Sequence, residues 1–246
     1  KLNSLNSELQ ENNRLLEEAN NTKNKLFSII AHDLKNPFLS IYGFAEMIFI
    51  KAQKSTESEL KKYSETLLES SKKLVQLIDN LTKWAQLHQS SFKPSPEEFN
   101  LFNEVELIIK QLKLNLELKN ISLSLEVDPS ALIFADKEMM ATVMRNIISN
   151  AIKFTPPEGK IFIRSEKDNR FFNIIIKDTG IGMGEELVKK IMDGKHITSS
   201  LGTSNEKGTG IGLSICREFI LLNKGLFFIN SEPDRGSEFK ISIPQK

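Results

Sequence analysis

The hydrophobic period of this chain changes once, and that change limits the folds open to it. Up to about residue 87 the apolar residues return at helical and heptad spacing; after the run HQSSFKPSPEEF, with its two prolines, they fall into short alternating segments mixed with helical ones. One bundle or one sheet cannot serve both patterns, so the 246 residues read as two domains. From Leu2 to about Lys25 the chain is polar and free of Gly and Pro, with Leu2, Leu5, Leu9, Leu16 and Ala19 on heptad a and d positions. That is a coiled-coil pattern, and Asn12 at a d position fixes register and favours two strands. A second stripe follows through Phe27, Ile30, Leu34, Ile41, Phe44 and Ile48; the spacing of eleven from Leu16 to Phe27 is a stutter between the two registers.

After the polar stretch KAQKSTES comes a second helix, with its seam at Leu60, Tyr63, Leu67, Leu74, Leu77, Leu81 and Trp84. Two helices alone bury too little apolar surface, whereas two such hairpins from two chains make a four-helix bundle, so a homodimer is expected. Beyond the prolines we expect a short strand at EFNLF, a helix at NEVELIIKQLKLNLELKN and strands at ISLSLEV and ALIFA. DKEMMATVMRNIISNAIKF reads as a long helix opened by an Asp cap. KIFIRSEK and RFFNIIIKD form a hairpin turning at Asp168 and Asn169; two helices, GEELVKKIMD and GIGLSICREFILLN, and two strands, GLFFINSE and GSEFKISIP, complete an α+β two-layer sandwich. The expected divisions are a coiled-coil helix over 1–24, a helical hairpin over 25–92, a linker over 93–97 and the sandwich over 98–246.

Charge and cysteine content exclude several classes of function. A net charge of +1 provides no field to attract nucleic acid. The single cysteine, Cys216, supports neither an intrachain disulfide nor a zinc site and lies in an apolar helical run; it reads as core filler in a reducing, cytoplasmic setting. No apolar stretch reaches the ~18–20 residues that cross a bilayer. The helical pattern is already under way at Lys1, which leads us to expect a longer parent, and any membrane contact would come through parts of it outside this sequence.

With Phe27 at heptad position a, His32 falls at f, facing solvent, in the segment FSIIAHDLKNPF. An imidazole can attack phosphorus with one ring nitrogen while a neighbouring carboxylate holds the proton on the other, and Asp33 is placed for that. Pro37 clashes with the carbonyl of Asp33 and is expected to bend the helix just below the histidine. His88 and His196 read as ordinary surface residues.

FSIIAHDLKNPF resembles the histidine box of the bacterial sensor histidine kinases, and further resemblances follow in that family's order. RNIISNAIKFT at 145–155 resembles the asparagine box, DTGIGM at 178–183 and GTGIGLSI at 208–215 the two glycine boxes, and GSEF at 236–239 a final short one. Asn146, Asn150 and Lys153 share one face of a helix, where oxygen donors suit magnesium and a cation suits phosphate. Asn150 is the candidate metal ligand, Asn146 a candidate for metal or phosphate, and Lys153 the candidate for phosphate charge. Asp178 can accept from an adenine amino group, and by the resemblance it sets nucleotide identity; Gly180 and Gly182 let the backbone approach the base. Gly208, Thr209, Gly210, Ile211, Gly212 and Leu213 lead into a helix whose free amides suit phosphates.

The resemblance implies an ATP- and Mg2+-dependent protein-histidine kinase that phosphorylates itself on His32 and passes the group to an aspartate of a response-regulator receiver domain. Asn36, one turn beyond His32, resembles the residue some relatives use to dephosphorylate that partner. The chain departs from the family between the glycine boxes, where IMDGKHI replaces a phenylalanine-rich box and puts the contacts of that loop in doubt. Two alternatives stand beside this reading: a dimeric scaffold that binds nucleotide without transfer, and a non-kinase ATPase of the gyrase, chaperone and mismatch-repair type. FSIIAHDLKNPF discriminates against the second.

Overall fold

A computed structural model describes residue 14 and residues 34–35, 37–50, 56–87, 94–193, 202–204 and 212–245. The expected coiled coil, apart from the helical Arg14, lies outside the described residues, as do His32, Asp33, Asn36, His88 and His196. The chain divides into two compact units, Lys1–Leu87 and His88–Lys246. No helix among the described residues is long and apolar enough to cross a membrane.

The first unit contains α1, residues 37–50, and α2, Glu57–Leu87. A reciprocal cap starts α2: Thr56 Oγ1 accepts from the Glu59 amide at 3.3 Å, and the Thr56 amide donates to Glu59 Oε2 at 2.9 Å. The sequence carries this signature as T-x-x-E, with Thr56 in the polar stretch KAQKSTES and Glu59 just beyond it. The two helices run antiparallel, with the Phe44 and Tyr63 rings 6.1 Å apart and the Ser40 and Ser70 hydroxyls 2.9 Å apart. Ile41, Phe44, Ile48, Leu60, Tyr63, Leu67 and Leu74, the expected seam, are only half-buried. The side chains of Leu77, Leu81 and Trp84 lie outside the described set.

The second unit is built on a five-stranded mixed sheet in the order β2-β4-β5-β7-β6, comprising β2 (Ser122–Glu126), β4 (Lys160–Lys167), β5 (Phe171–Asp178), β7 (Ser237–Pro244) and β6 (Leu226–Ser231). β2 runs parallel to β4 and the remaining pairs are antiparallel. A separate antiparallel pair joins β1 (Pro96–Asn100) to β3 (Leu132–Asp136). The helices are α3 (Leu101–Leu118), α4 (Lys137–Phe154), α5 (Glu185–Met192) and α6 (Gly212–Leu222).

Local chemistry sets these limits. The expected strand EFNLF stops at Asn100, because the Asn100 side chain accepts from the Asn103 amide and turns Leu101 and Phe102 into the first turn of α3. Asp136 caps α4 as expected, accepting from the Met139 amide at 3.0 Å. Asp168 Oδ1 accepts from the Arg170 and Phe171 amides, both at 2.8 Å, and closes the β4–β5 hairpin. Met140, Met144, Ile147 and Ile148 of α4 are fully buried, as are Ile161, Ile163, Ile174, Ile176 and Ile241 of the sheet. Cys216 is buried among them, and burial pushes its thiol far up from its ordinary value, consistent with filler and not with a nucleophile.

Candidate functional site

The polar face of α4 organises the site. Ile147, Ile148, Ala151 and Ile152 are at most 4% exposed, which turns Asn146, Asn150 and Lys153 to the other side, where all three are half-buried. α6 begins against this face: a Cβ added to Gly212 would sit 3.0 Å from Asn146 Oδ1. Gly212, in the second glycine box, thus lies beside Asn146 of the asparagine box. Gly208, Thr209, Gly210 and Ile211 lie outside the described residues.

A helix leaves its last four carbonyls without internal partners, and those of α4 are met from four places. The Thr155 amide donates to Ala151 at 3.0 Å. Lys119 Nζ donates to the carbonyls of Ile152 and Lys153, both at 2.9 Å. The Thr203 amide adds a bond to Lys153 at 3.1 Å, and the Ile181 amide donates to Phe154 at 3.1 Å. The last bond carries the first glycine turn. A Cβ on Gly180 would lie 2.5 Å from the Phe154 carbonyl, so only glycine allows that approach. Gly182 has φ +63°, and a Cβ there would overlap the Glu232 carbonyl at 1.9 Å.

Asp178 closes β5 directly beneath this turn and is 3% exposed. Its Oδ1 accepts from the Gly180 amide at 2.8 Å and from the Ser237 amide at 3.2 Å, while Oδ2 has no partner among the described residues. Burial raises its pKa above the ordinary aspartate value, partly offset by the two amides, which favour the ionised form. A carboxylate clamped on one oxygen and open on the other is a fixed acceptor for a ligand N–H.

Metal fit can be judged from the donors. No group of three His, Cys, Asp or Glu among the described residues could cage a metal ion. The amide oxygens of Asn146 and Asn150 are hard donors that suit a magnesium ion whose remaining ligands are water and phosphate oxygens, so the residues present fit that ion.

Three contributors escaped the sequence reading. Ser237 was seen only as part of a box, yet its amide anchors Asp178. Lys119 and Thr203 carried no signal, because a lysine at a helix end and a threonine in a polar loop are ordinarily solvated.

Residues 135–246 match the family described as histidine kinase-, DNA gyrase B-, and HSP90-like ATPase, and residues 22–89 match the His Kinase A (phospho-acceptor) domain. The sensor histidine kinase RcsC of Escherichia coli is 28% identical over 243 residues, covering 96% of this chain and 25% of that protein. The chain accordingly spans about a quarter of the length of the curated relatives it matches. Among solved structures, the histidine kinase AdeS of Acinetobacter baumannii aligns with a TM-score of 0.69 at 22% identity, covering 87% of this chain and 97% of that one. Histidine kinase ThkA, solved in complex with the response regulator protein TrrA, aligns with a TM-score of 0.69 at 24% identity, covering 90% of this chain and 61% of that one. At these identities the two structures establish the fold.

Proposed function

We propose that this chain, which belongs to the sensor histidine kinases, binds ATP with magnesium in its second unit and transfers the γ-phosphoryl group to His32. The observation that carries the ATP site is the pair of junctions on α4: Asn146 abuts the start of α6, and the Phe154 carbonyl holds the turn above Asp178. These points are eight residues apart, about 12 Å along a helix, a span suited to a nucleotide lying from base to phosphates. Asp178 Oδ2 accepts from the adenine amino group, Gly180 and Gly182 let the base close on the backbone, and Lys153 neutralises phosphate charge. Asn146 and Asn150 hold the magnesium ion, which when bound offsets charge on the phosphoryl oxygens. Gly208, Thr209, Gly210, Ile211, Gly212 and Leu213 supply backbone donors to the phosphates.

In the transfer, one imidazole nitrogen of His32 forms a bond to the γ-phosphorus as the bond to the ADP oxygen breaks. Asp33 holds the proton on the other nitrogen. Phosphohistidine then passes its phosphoryl group to an aspartate of a response regulator, and Asn36 orients water to attack that aspartyl phosphate, which breaks its P–O bond and releases inorganic phosphate. The hairpin does this as a homodimer, supported by its half-buried seam and by Phe38, Tyr42, Phe49 and Val75, which are 58–87% exposed within one chain. The match of residues 22–89 to a phospho-acceptor domain favours this over a non-kinase ATPase. We assign the parts as 1–24 signalling helix, 25–92 phosphotransfer hairpin, and an ATP-binding domain whose first strand, β1, begins at Pro96, inside the expected linker 93–97 and ahead of the expected start at 98.

The test is incubation with γ-labelled ATP and magnesium. Acid-labile, alkali-stable label on the parent chain and none on His32→Gln is expected; equal labelling of the variant overturns the proposal. Asn36→Ala with undiminished phosphatase activity removes the role given to Asn36.

A further inference from the structure

Lys119 and Thr203 take no part in the reading above, yet both turn onto the last turn of α4. Lys119 ends α3 and is 7% exposed. Its backbone is held on both sides: Asn120 adopts φ +51° and closes the helix with its amide on Glu117, and the Lys119 carbonyl accepts from the Glu158 amide at 2.9 Å. Its ammonium donates to the carbonyls of Ile152 and Lys153 and, at 2.8 Å, to Thr203 Oγ1, with Thr155 O at 3.4 Å. Burying an ammonium is unfavourable unless acceptors replace its water, and these oxygens do so at the negative end of a helix.

Thr203 completes the arrangement. Its hydroxyl accepts from Lys119 and has one proton to give, to the Lys153 carbonyl at 3.1 Å or the Thr155 carbonyl at 2.9 Å. Its amide donates to the Lys153 carbonyl as well, at 3.1 Å. The donors therefore converge on the backbone of Lys153, the residue whose side chain carries the cation on the polar face of α4.

We infer that Lys119 and Thr203 are positioning residues for Lys153: they pin its backbone so that its ammonium meets the nucleotide phosphates without a search. The inference rests on the ATP reading of α4. Without the clasp the helix end frays, and Lys153 must be ordered at the moment of binding, which lowers affinity and leaves the chemical step alone.

A double-mutant cycle on the full chain tests this, with ATP binding followed by calorimetry and thermal melts confirming folding. Thr203→Val is expected to raise the ATP dissociation constant about fivefold, with the rate of labelling at saturating ATP unchanged. Thr203→Ser is expected to restore affinity. In a Lys153→Ala background Thr203→Val is expected to add nothing, because the residue it acts through is gone. Lys119→Met should show the same dependence. Losses that add in the Lys153→Ala background, or an unchanged affinity in Thr203→Val, overturn the inference while leaving the ATP site standing. Lys153→Ala binding ATP as tightly as the parent chain overturns both the inference and the phosphate role of Lys153.

Discussion

The two units treat their apolar side chains in opposite ways. In the second, Ile147, Ile161, Ile174 and Ile241 reach 0% exposure within a single chain. In the first, the apolar seam residues among the described ones stay half-buried, and Phe49 and Ile50 are 87% and 66% exposed. The second unit completes its core within one chain, whereas the described residues of the first leave apolar surface that the proposed dimer would cover. That asymmetry fits the proposed division of labour, in which the second unit binds nucleotide and the first serves as a dimeric phosphotransfer hairpin.

The largest expected break in this comparison is a matched pair of core deletions. Ile147→Ala should destabilise the second unit by about 4 kcal/mol, since a buried site loses its contacts and gains a cavity. Ile41→Ala should take only about 1.5 kcal/mol from the hairpin, because a half-buried side chain has less to lose. Urea titrations of the two variants compare them, and equal losses would mean that the hairpin core is as dry as the other.

Asp178→Asn is expected to weaken ATP binding about a hundredfold, the size of effect that follows from removing a charged acceptor. Because burial raises the Asp178 pKa, its neutral form persists to higher pH than for an ordinary aspartate. ATP affinity measured by calorimetry should therefore fall more steeply on acidification in the parent chain than in the asparagine variant, the excess loss setting in at a higher pH than an ordinary aspartate would give. The sign for stability is the reverse. A raised folded pKa stabilises the fold at low pH, and that contribution is lost as pH rises through the folded value. Asp178→Asn should accordingly melt slightly above the parent chain at neutral pH, a binding group retained at the expense of stability.

Concentration separates the units further. A fragment of residues 25–92 should lose about 5 °C of melting temperature per tenfold dilution if the hairpin folds by dimerising. A fragment of residues 94–246 should melt at a constant temperature. The smallest effect belongs to the cap of α2: Thr56→Ala should lower hairpin stability by about 1 kcal/mol, read from the same melts.

Much of the second unit was legible because its signals are local. The limits of β4 and the hairpin at Asp168 follow from strand alternation and one turn residue, and the Asp136 cap from its place before an apolar helical run. Asn100 misled for an equally local reason: EFNLF alternates like a strand, but an asparagine side chain can end one element and start the next. The polar face of α4 was readable from spacing. Its support was not, since Lys119 and Thr203 gain their roles from oxygens 33 to 50 residues away, and no window along the sequence contains both ends of such a bond.

The end of α4 also bears on how the protein comes to be made. Phe154 is bonded 27 residues onward at Ile181, Lys153 reaches Thr203, and Asp178 waits on Ser237, 59 residues later. Contacts so distant in sequence are slow to form, because the intervening chain must be ordered first. During synthesis, a chain that has not yet emitted Ser237 has the helix, the glycines and the aspartate but not the clamp that aims the carboxylate. The proposed nucleotide site should therefore be incomplete until the strand that carries Ser237 has paired with β5.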